Sequence, residues 1–283
     1  MFFLRRLRSA RAQIMERFYL RRRAEGIDAF LWELQHANNT NLCFSIAFNT
    51  PWVIDYLTRL WQKNVVDAGL AVIDNSSSHT AATTIKTLCA SRGVPYLKLP
   101  KSYEWNPNLS HGQAGNWIFY NVVRNVRPLR FGFVDHDCFP IVPFRLEEQF
   151  SGKKIYGLHI DCRRTKPINH RPLNGPQPWS LWAGYSFMDF SYVENRMFDF
   201  NPLHHLGLDT GGSNWFDIYS RIVDTDARFA RYERVTHQEE CLDCQYELID
   251  GAFLHVGGAS YSKITTKQDY VRGMQSLLQS TYL

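Results

Sequence analysis

Residues 131–141 read FGFVDHDCFPI. Phe131, Phe133 and Val134 suit a buried strand. Asp135, His136 and Asp137 follow at once, and Cys138, Phe139, Pro140 and Ile141 return to apolar character. Two carboxylates between apolar flanks are costly to bury unless something cancels their charge. In an extended chain their i, i+2 spacing sets both on one side and His136 on the other.

The chain upstream decides where this stretch lies. LCFSIAF (42–48) reads as a strand. Asn49 and Thr50 then precede Pro51, which opens a helix through Trp61. GLAVIDN (69–75) is a second strand, and SSSHTAATTIKTLCASRG is a capped helix ending at Gly93. VPYLKLP (94–100) is a third strand, a helix spans about 109–124, and LRFGFVD (129–135) is a fourth strand. Strand and helix alternating at this rhythm predict right-handed βαβ units, an α/β class and a mostly parallel sheet. Ligands of such sheets sit beyond the carboxyl ends of the strands. Asn49, Asp74 and Asp135 share that rim. There, Asp135 and Asp137 suit a divalent cation, Mn2+ or Mg2+, that also takes phosphate oxygens. The other reading is an aspartate pair capping a turn.

Downstream the pattern loosens. KIYGLHI (154–160) is a strand, and residues 162–180 form a long loop carrying Arg163, Arg164, Lys166 and Arg171. A helix is expected near 191–198, another from Ser213, and an amphipathic one over 267–280. LIDGAFLHVGG (248–258) reads as one late strand ending in His255. A neutral imidazole there suits a metal shell, and a hydrogen-bonded core histidine is the competing reading. Cys241 and Cys244, with His237 upstream, have the start of a zinc spacing, but no second pair completes it.

The 283 residues carry a net charge of +5. Eight arginines and two glutamates lie in residues 1–25, so the remaining chain is close to neutral. The basic character is therefore an N-terminal extension, residues 1–38, and a nucleic-acid-binding body is not supported. Phe3, Leu7, Ala10, Ile14 and Phe18 recur at helical spacing between arginines. Residues 1–25 thus read either as a packing helix or as one lying on an anionic membrane surface. No run approaches the roughly 18 apolar residues of a spanning helix. The cysteines are scattered, which suits a reduced, cytoplasmic setting, peripheral at a membrane if the extension binds lipid.

SIAFNTP, VIDNSSS, HGQAGNWIFYNVV, FGFVDHD, WAGYSF, LDTGG and FLHVGG occur in an order and spacing that resembles a GT-A fold glycosyltransferase, similar to family 2. The resemblance implies a single catalytic domain over residues 39–283. Residues 39–140 would bind the nucleotide sugar and residues 141–283 the acceptor. It implies a metal-dependent transfer of a sugar from a nucleotide-diphosphate donor to a saccharide or lipid-linked acceptor such as a glycolipid. By it, Asn49 lines the nucleotide, Asp74 meets the base, Asp135 meets the ribose or metal, and Asp137 and His255 meet the metal. The family's usual Glu-Asp catalytic pair is absent. Asp209 of LDTGG stands in for the base of an inverting mechanism, with Asp189 and Asp199 as rivals. It also reads as a carboxylate at a helix start. Trp182 and Tyr185 are candidates for stacking on the acceptor. Two other functions compete: a nucleotidyltransferase of related fold, and a non-catalytic carbohydrate-binding or scaffold protein. The first normally carries a glycine-rich basic loop after its first strand, which SIAFNTPWV lacks.

Overall fold

The computed structural model describes residues 14–37, 39–162, 177–239, 242–257 and 265–283. Its strands are β1 (Asn41–Ala47), β2 (Ala68–Asp74), β3 (Tyr96–Lys98), β4 (Arg130–Val134), β5 (Cys138–Pro140), β6 (Ile155–Asp161), β7 (Trp179–Asp189), β8 (Ala227–Phe229), β9 (Tyr232–Glu239), β10 (Leu242–Ile249) and β11 (Phe253–His255). They form a seven-stranded sheet in the order β3-β2-β1-β4-β7-β6-β8 and a four-stranded sheet in the order β5-β11-β10-β9.

In the large sheet β1 is parallel to both β2 and β4, and β2 is parallel to β3. β7 alone runs the other way, antiparallel to β4 and β6, and β6 is parallel to β8. This is the mostly parallel α/β sheet expected from the sequence. All seven residues of β1 are buried, as a strand covered on both faces requires. Its side chains alternate: Leu42, Phe44 and Ile46 enter one core, Cys43 and Ala47 the other.

Helices α1 (residues 14–20), α2 (Ile27–His36), α3 (Pro51–Asn64), α4 (His79–Ser91) and α5 (Pro107–Ile118) follow in order. α3 and α4 pack on one face with the small sheet, and α2 and α5 cover the other. Pro51 and Pro107 open their helices, and the Ser78 and Asn106 side chains cap α4 and α5. α5 continues through a π-turn, Phe119–Val123, into the short α6 (Arg124–Val126).

Several expectations change. The N-terminal segment is not a separate appendage over its described length: Tyr19, Ala24, Ile27, Phe30 and Leu34 enter the core beside α5. The apolar stripe read at Ile14 and Phe18 instead faces solvent, joined by Met15. The helix expected near 191–198 is one turn, Phe190–Val193, and that from Ser213 is a 3-10 turn, Gly212–Trp215. LIDGAFLHVGG is not one strand. Asp250 and Gly251 both have positive φ, 52° and 63°, and Ala252 N donates to Ile249 O. That is a type I′ hairpin turn, for which Asp-Gly is a preferred pair. It folds β11 back along β10. The final helix, Thr265–Leu277, packs Met274 and Leu277 against this sheet.

Candidate metal centre

The two aspartates lie where the two sheets meet. β4 ends at Val134 and β5 begins at Cys138. Between them the chain is a tight turn, with Cys138 N donating to Asp135 O at 2.9 Å. The carboxylates therefore converge across a turn and not along an extended strand. His136 leaves them, as expected, and its Nδ1 lies 3.1 Å from Ile46 O on β1.

Asp135 stays attached to the large sheet through its N–H, which donates to Gly184 O on β7 at 2.9 Å. Asp137 belongs to the small one: its carbonyl accepts from Val256 N at 3.0 Å, and Cys138 pairs with His255. One ligand atom each from Asp135, Asp137 and His255 lie within 4.8 Å of one another. His255 Nε2 is 3.5 Å from Asp137 Oδ1. The Asp135 side chain is 24% exposed, that of Asp137 5%. Two carboxylate oxygens and an imidazole nitrogen, closed on the protein side and open beside Asp135, fit Mn2+ or Mg2+ with room for further oxygen ligands.

Burial pushes the His255 imidazole down, but its hydrogen bonds to Asp137 and Glu247 outweigh that and hold it up, at about 10. Glu247 is held low, first by the hydrogen bond from His255. The Trp182 ring packs over the imidazole at 4.6 Å between centroids. Gly184 is required by this closeness: a Cβ there would stand 2.5 Å from both Asp135 Oδ2 and the Trp182 ring.

α5 supplies the other wall. His111 Nε2 is 3.9 Å from Asp135 Oδ1. One turn earlier, Asn108 Nδ2 donates to Asp209 Oδ1 at 2.8 Å. Positions three apart share a helix face, so α5 links Asp209 to the aspartate turn. Asp209 is exposed, and its carboxylate also accepts from Thr210 N. It caps its own turn and starts no long helix. Of its rivals, Asp189 caps the short helix Phe190–Val193, and Asp199 binds Asn116 and the Asn201 backbone.

The expected donor-side residues lie on the same rim but differ in access. Asn49 takes a positive φ of 54° and ties two loops together: its N–H donates to Ser76 Oγ, its Nδ2 to Ser77 Oγ, and its Oδ1 accepts from Ser78 N. Asp74 is fully buried. Oδ1 accepts from Ser76 N and Oδ2 from the Tyr96 hydroxyl, with Lys98 Nζ 3.5 Å away. Asp74 thus offers no open face to a base; of its partners Ser76 is also buried and Lys98 is half-buried. Tyr185 is corrected likewise. It is fully buried, with its hydroxyl 2.9 Å from that of Tyr156, and cannot stack on an acceptor. Trp182 is half-buried.

His111, Gly184 and Glu247 were not picked out from the sequence. For His111 a signal existed in its i, i+3 relation to Asn108 within NLSH (108–111). Among the described residues Cys43, Cys89, Cys138 and Cys162 are unpaired and buried. The basic loop over 163–171, Cys241 and the side chains of His237 and Cys244 lie outside the described residues.

No family model matches the chain, and no curated protein matches it. Solved structures give distant likenesses of fold. TarS of S. aureus is 12% identical over 59% of this chain and 32% of its own, at a TM-score of 0.39. WbbM, a bifunctional glycosyltransferase, is 10% identical over 54% of this chain and 32% of its own, at 0.38. Glucosyl-3-phosphoglycerate synthase of Mycobacterium tuberculosis, bound to Mn2+ and UDP-glucose, is 16% identical over 63% of this chain and 65% of its own, at 0.37. The chain thus spans about a third of the length of the first two. The geometry of the centre carries the functional reading.

Proposed function

We propose that this chain is a metal-dependent glycosyltransferase that moves a sugar from a nucleotide-diphosphate donor to a saccharide or lipid-linked acceptor, with inversion. One observation carries the reading: Asp135, Asp137 and His255 converge at the carboxyl end of a mostly parallel sheet, closed on the protein side and open on the ligand side. Bound there, Mn2+ or Mg2+ would offset the charge that develops on the departing diphosphate.

The chain's own residues do the rest. Asn49 holds the Ser76–Ser78 loop against the nucleotide, and the buried Asp74 fixes Ser76 and Tyr96 beneath it. His111, beside Asp135, faces the diphosphate oxygens. Asp209, oriented by the Asn108 amide, takes the acceptor hydroxyl proton. That oxygen bonds the anomeric carbon as the bond from carbon to diphosphate breaks on the opposite face. Trp182 gives the sugar an apolar wall.

The test is release of nucleoside diphosphate from a panel of sugar nucleotides, with Mn2+ and saccharide acceptors. Metal-dependent release that Asp137→Ala abolishes is the expected result. Pyrophosphate release from a nucleoside triphosphate and a sugar phosphate, with no nucleoside diphosphate released from the sugar nucleotides, would point to a nucleotidyltransferase. Donor binding without any turnover would point to a carbohydrate-binding protein.

For the lipid side the support is the exposed group Ile14, Met15 and Phe18 beside the exposed Arg17, Arg21, Arg22 and Arg23. Such a pairing suits an anionic surface, on which residues 1–25 would lie peripherally. No helix among the described residues is long and apolar enough to cross a membrane. Because Tyr19 and Ala24 are core residues, the informative cut removes residues 1–13 together with Phe18→Glu. Unchanged sedimentation with anionic liposomes would refute the surface role.

A further inference from the structure

The hairpin that carries His255 places a second carboxylate behind it. Glu247 on β10 stands directly opposite His255 on β11. Directly opposed residues present their side chains on the same face of the ladder, within contact distance. Glu247 Oε2 lies 2.8 Å from His255 Nδ1, while Asp137 Oδ1 lies 3.5 Å from Nε2. The imidazole is thus held at both ends, one nitrogen turned to the centre and the other away from it.

Glu247 is itself oriented. Its other oxygen accepts from the Tyr232 hydroxyl, and Arg234 Nη2 lies 3.8 Å from that oxygen. Tyr232 and Arg234 are on β9, where Arg234 pairs with Glu247 across the ladder. The Trp182 ring closes one face of the imidazole. A neutral histidine carries its proton on one nitrogen or the other, and the hydrogen bond made by one nitrogen decides what the other can do. With an acceptor fixed at Nδ1, a proton stays on that nitrogen, and Nε2 is the nitrogen turned to Asp135 and Asp137, able to bind a cation that displaces the proton it shares with Asp137.

We infer that Glu247 is a positioning residue for the metal centre: held by Tyr232 and Arg234, its carboxylate selects the His255 tautomer and ring orientation that ligate through Nε2. The inference rests on the metal-centre reading above and deepens it. Carboxylates behind metal-bound histidines typically contribute 10–100-fold to metal affinity.

The experiment titrates Mn2+ alone into the full chain, without nucleotide, by electron paramagnetic resonance or calorimetry. Glu247→Ala is expected to weaken Mn2+ binding about 10–100-fold. Glu247→Gln keeps an amide oxygen that accepts from Nδ1–H and is expected to recover most of that loss. Tyr232→Phe leaves the carboxylate but loosens it, and its loss is expected to fall between. In the Mg2+-loaded protein, the 15N resonances of the His255 ring should show the proton on Nδ1, and the Ala variant should lose that preference. A merely structural Glu247 would move neither the ring signature nor the Gln rescue.

Measurable wild-type binding with equal affinity in Glu247→Ala overturns the role of Glu247 alone. A wild-type chain with no affinity for Mn2+ or Mg2+ overturns the metal centre, and this inference with it. Should Glu247→Ala fail to fold, the comparison of Tyr232→Phe with wild type decides: unaltered Mn2+ affinity and ring signature in Tyr232→Phe would overturn it.

Discussion

The two sheets contribute to the centre in different ways. The seven-stranded sheet ends in Asp135, partly open to solvent and facing His111 on α5. The four-stranded sheet holds Asp137 and His255, nearly closed off and bonded to each other, with Glu247 behind. One side is built to be reached and the other to stay put. A charge near water is cheap to keep and contributes little to stability, whereas a buried pair that loses one partner leaves an uncompensated charge.

Substitution at the two aspartates tests that difference most strongly. Asp137→Asn should lose more than about 100-fold in Mn2+ affinity. It should also destabilise the chain by about 1–3 kcal/mol, because the buried His255 loses one of its two carboxylate partners and keeps only Glu247. Urea unfolding and Mn2+ titration read the two effects. Asp135→Asn should cut diphosphate release about 100-fold while moving unfolding by less than about 0.5 kcal/mol. Equal stability losses in the two variants would break the comparison.

Gly184→Ala sharpens it. The added Cβ meets Asp135 Oδ2 and the Trp182 ring, so it shifts the open carboxylate and leaves Asp137 where it is. Turnover should fall about 10–100-fold, the cost of moving a reacting group by a fraction of an ångström to an ångström. Retained turnover at saturating Mn2+ would show that the turn has slack.

The smallest effect lies outside the centre. Glu16 on α1 accepts from Asn116 on α5 and from Asn201. Burial raises its carboxyl above the ordinary value of 4.5, against those hydrogen bonds. The folded state therefore holds the proton more tightly than the unfolded chain. Stability from this group is full below pH 4.5 and is lost as pH rises through the folded value. At neutral pH Glu16 is a net cost, so Glu16→Gln should raise stability by less than about 1 kcal/mol at pH 8 and flatten its pH dependence. Unfolding midpoints at pH 5 and pH 8 check it. A loss at pH 8 would show that the charge is needed to dock α1.

The large sheet was legible because its signals are local. Each strand of β1 to β4 is a short apolar run, each crossover has its cap or proline, and the rim positions follow from chain direction alone. The small sheet was not, because its content lies in pairing. Asp250-Gly251 is a hairpin signal, yet the apolar run across it reads as one strand until both positive φ values are seen. Glu247 has no meaning in the sequence until that turn sets it opposite His255. The antiparallel course of β7 depends on the sheet it joins. Asp74 and Tyr185 have residue types that suit a ligand, and only their full burial shows that they face inward. Asp135, Asp137 and His255 could be picked out by residue type at strand ends, but only the pairing of β5 with β11 brings the histidine to the aspartates.

The turn between β4 and β5 joins the two sheets, and the third ligand of the centre arrives only at residue 255. Two groups so far apart in the chain meet only when the native topology is complete. An ion that binds there therefore acts as a staple across the domain. It favours the folded chain by mass action, by about 2.7 kcal/mol when present at a hundred times its dissociation constant. Chelation should lower the melting temperature, first by releasing β9, β10 and β11. In a thermal-shift assay, the ion serves as a sensor of whether the whole chain has closed.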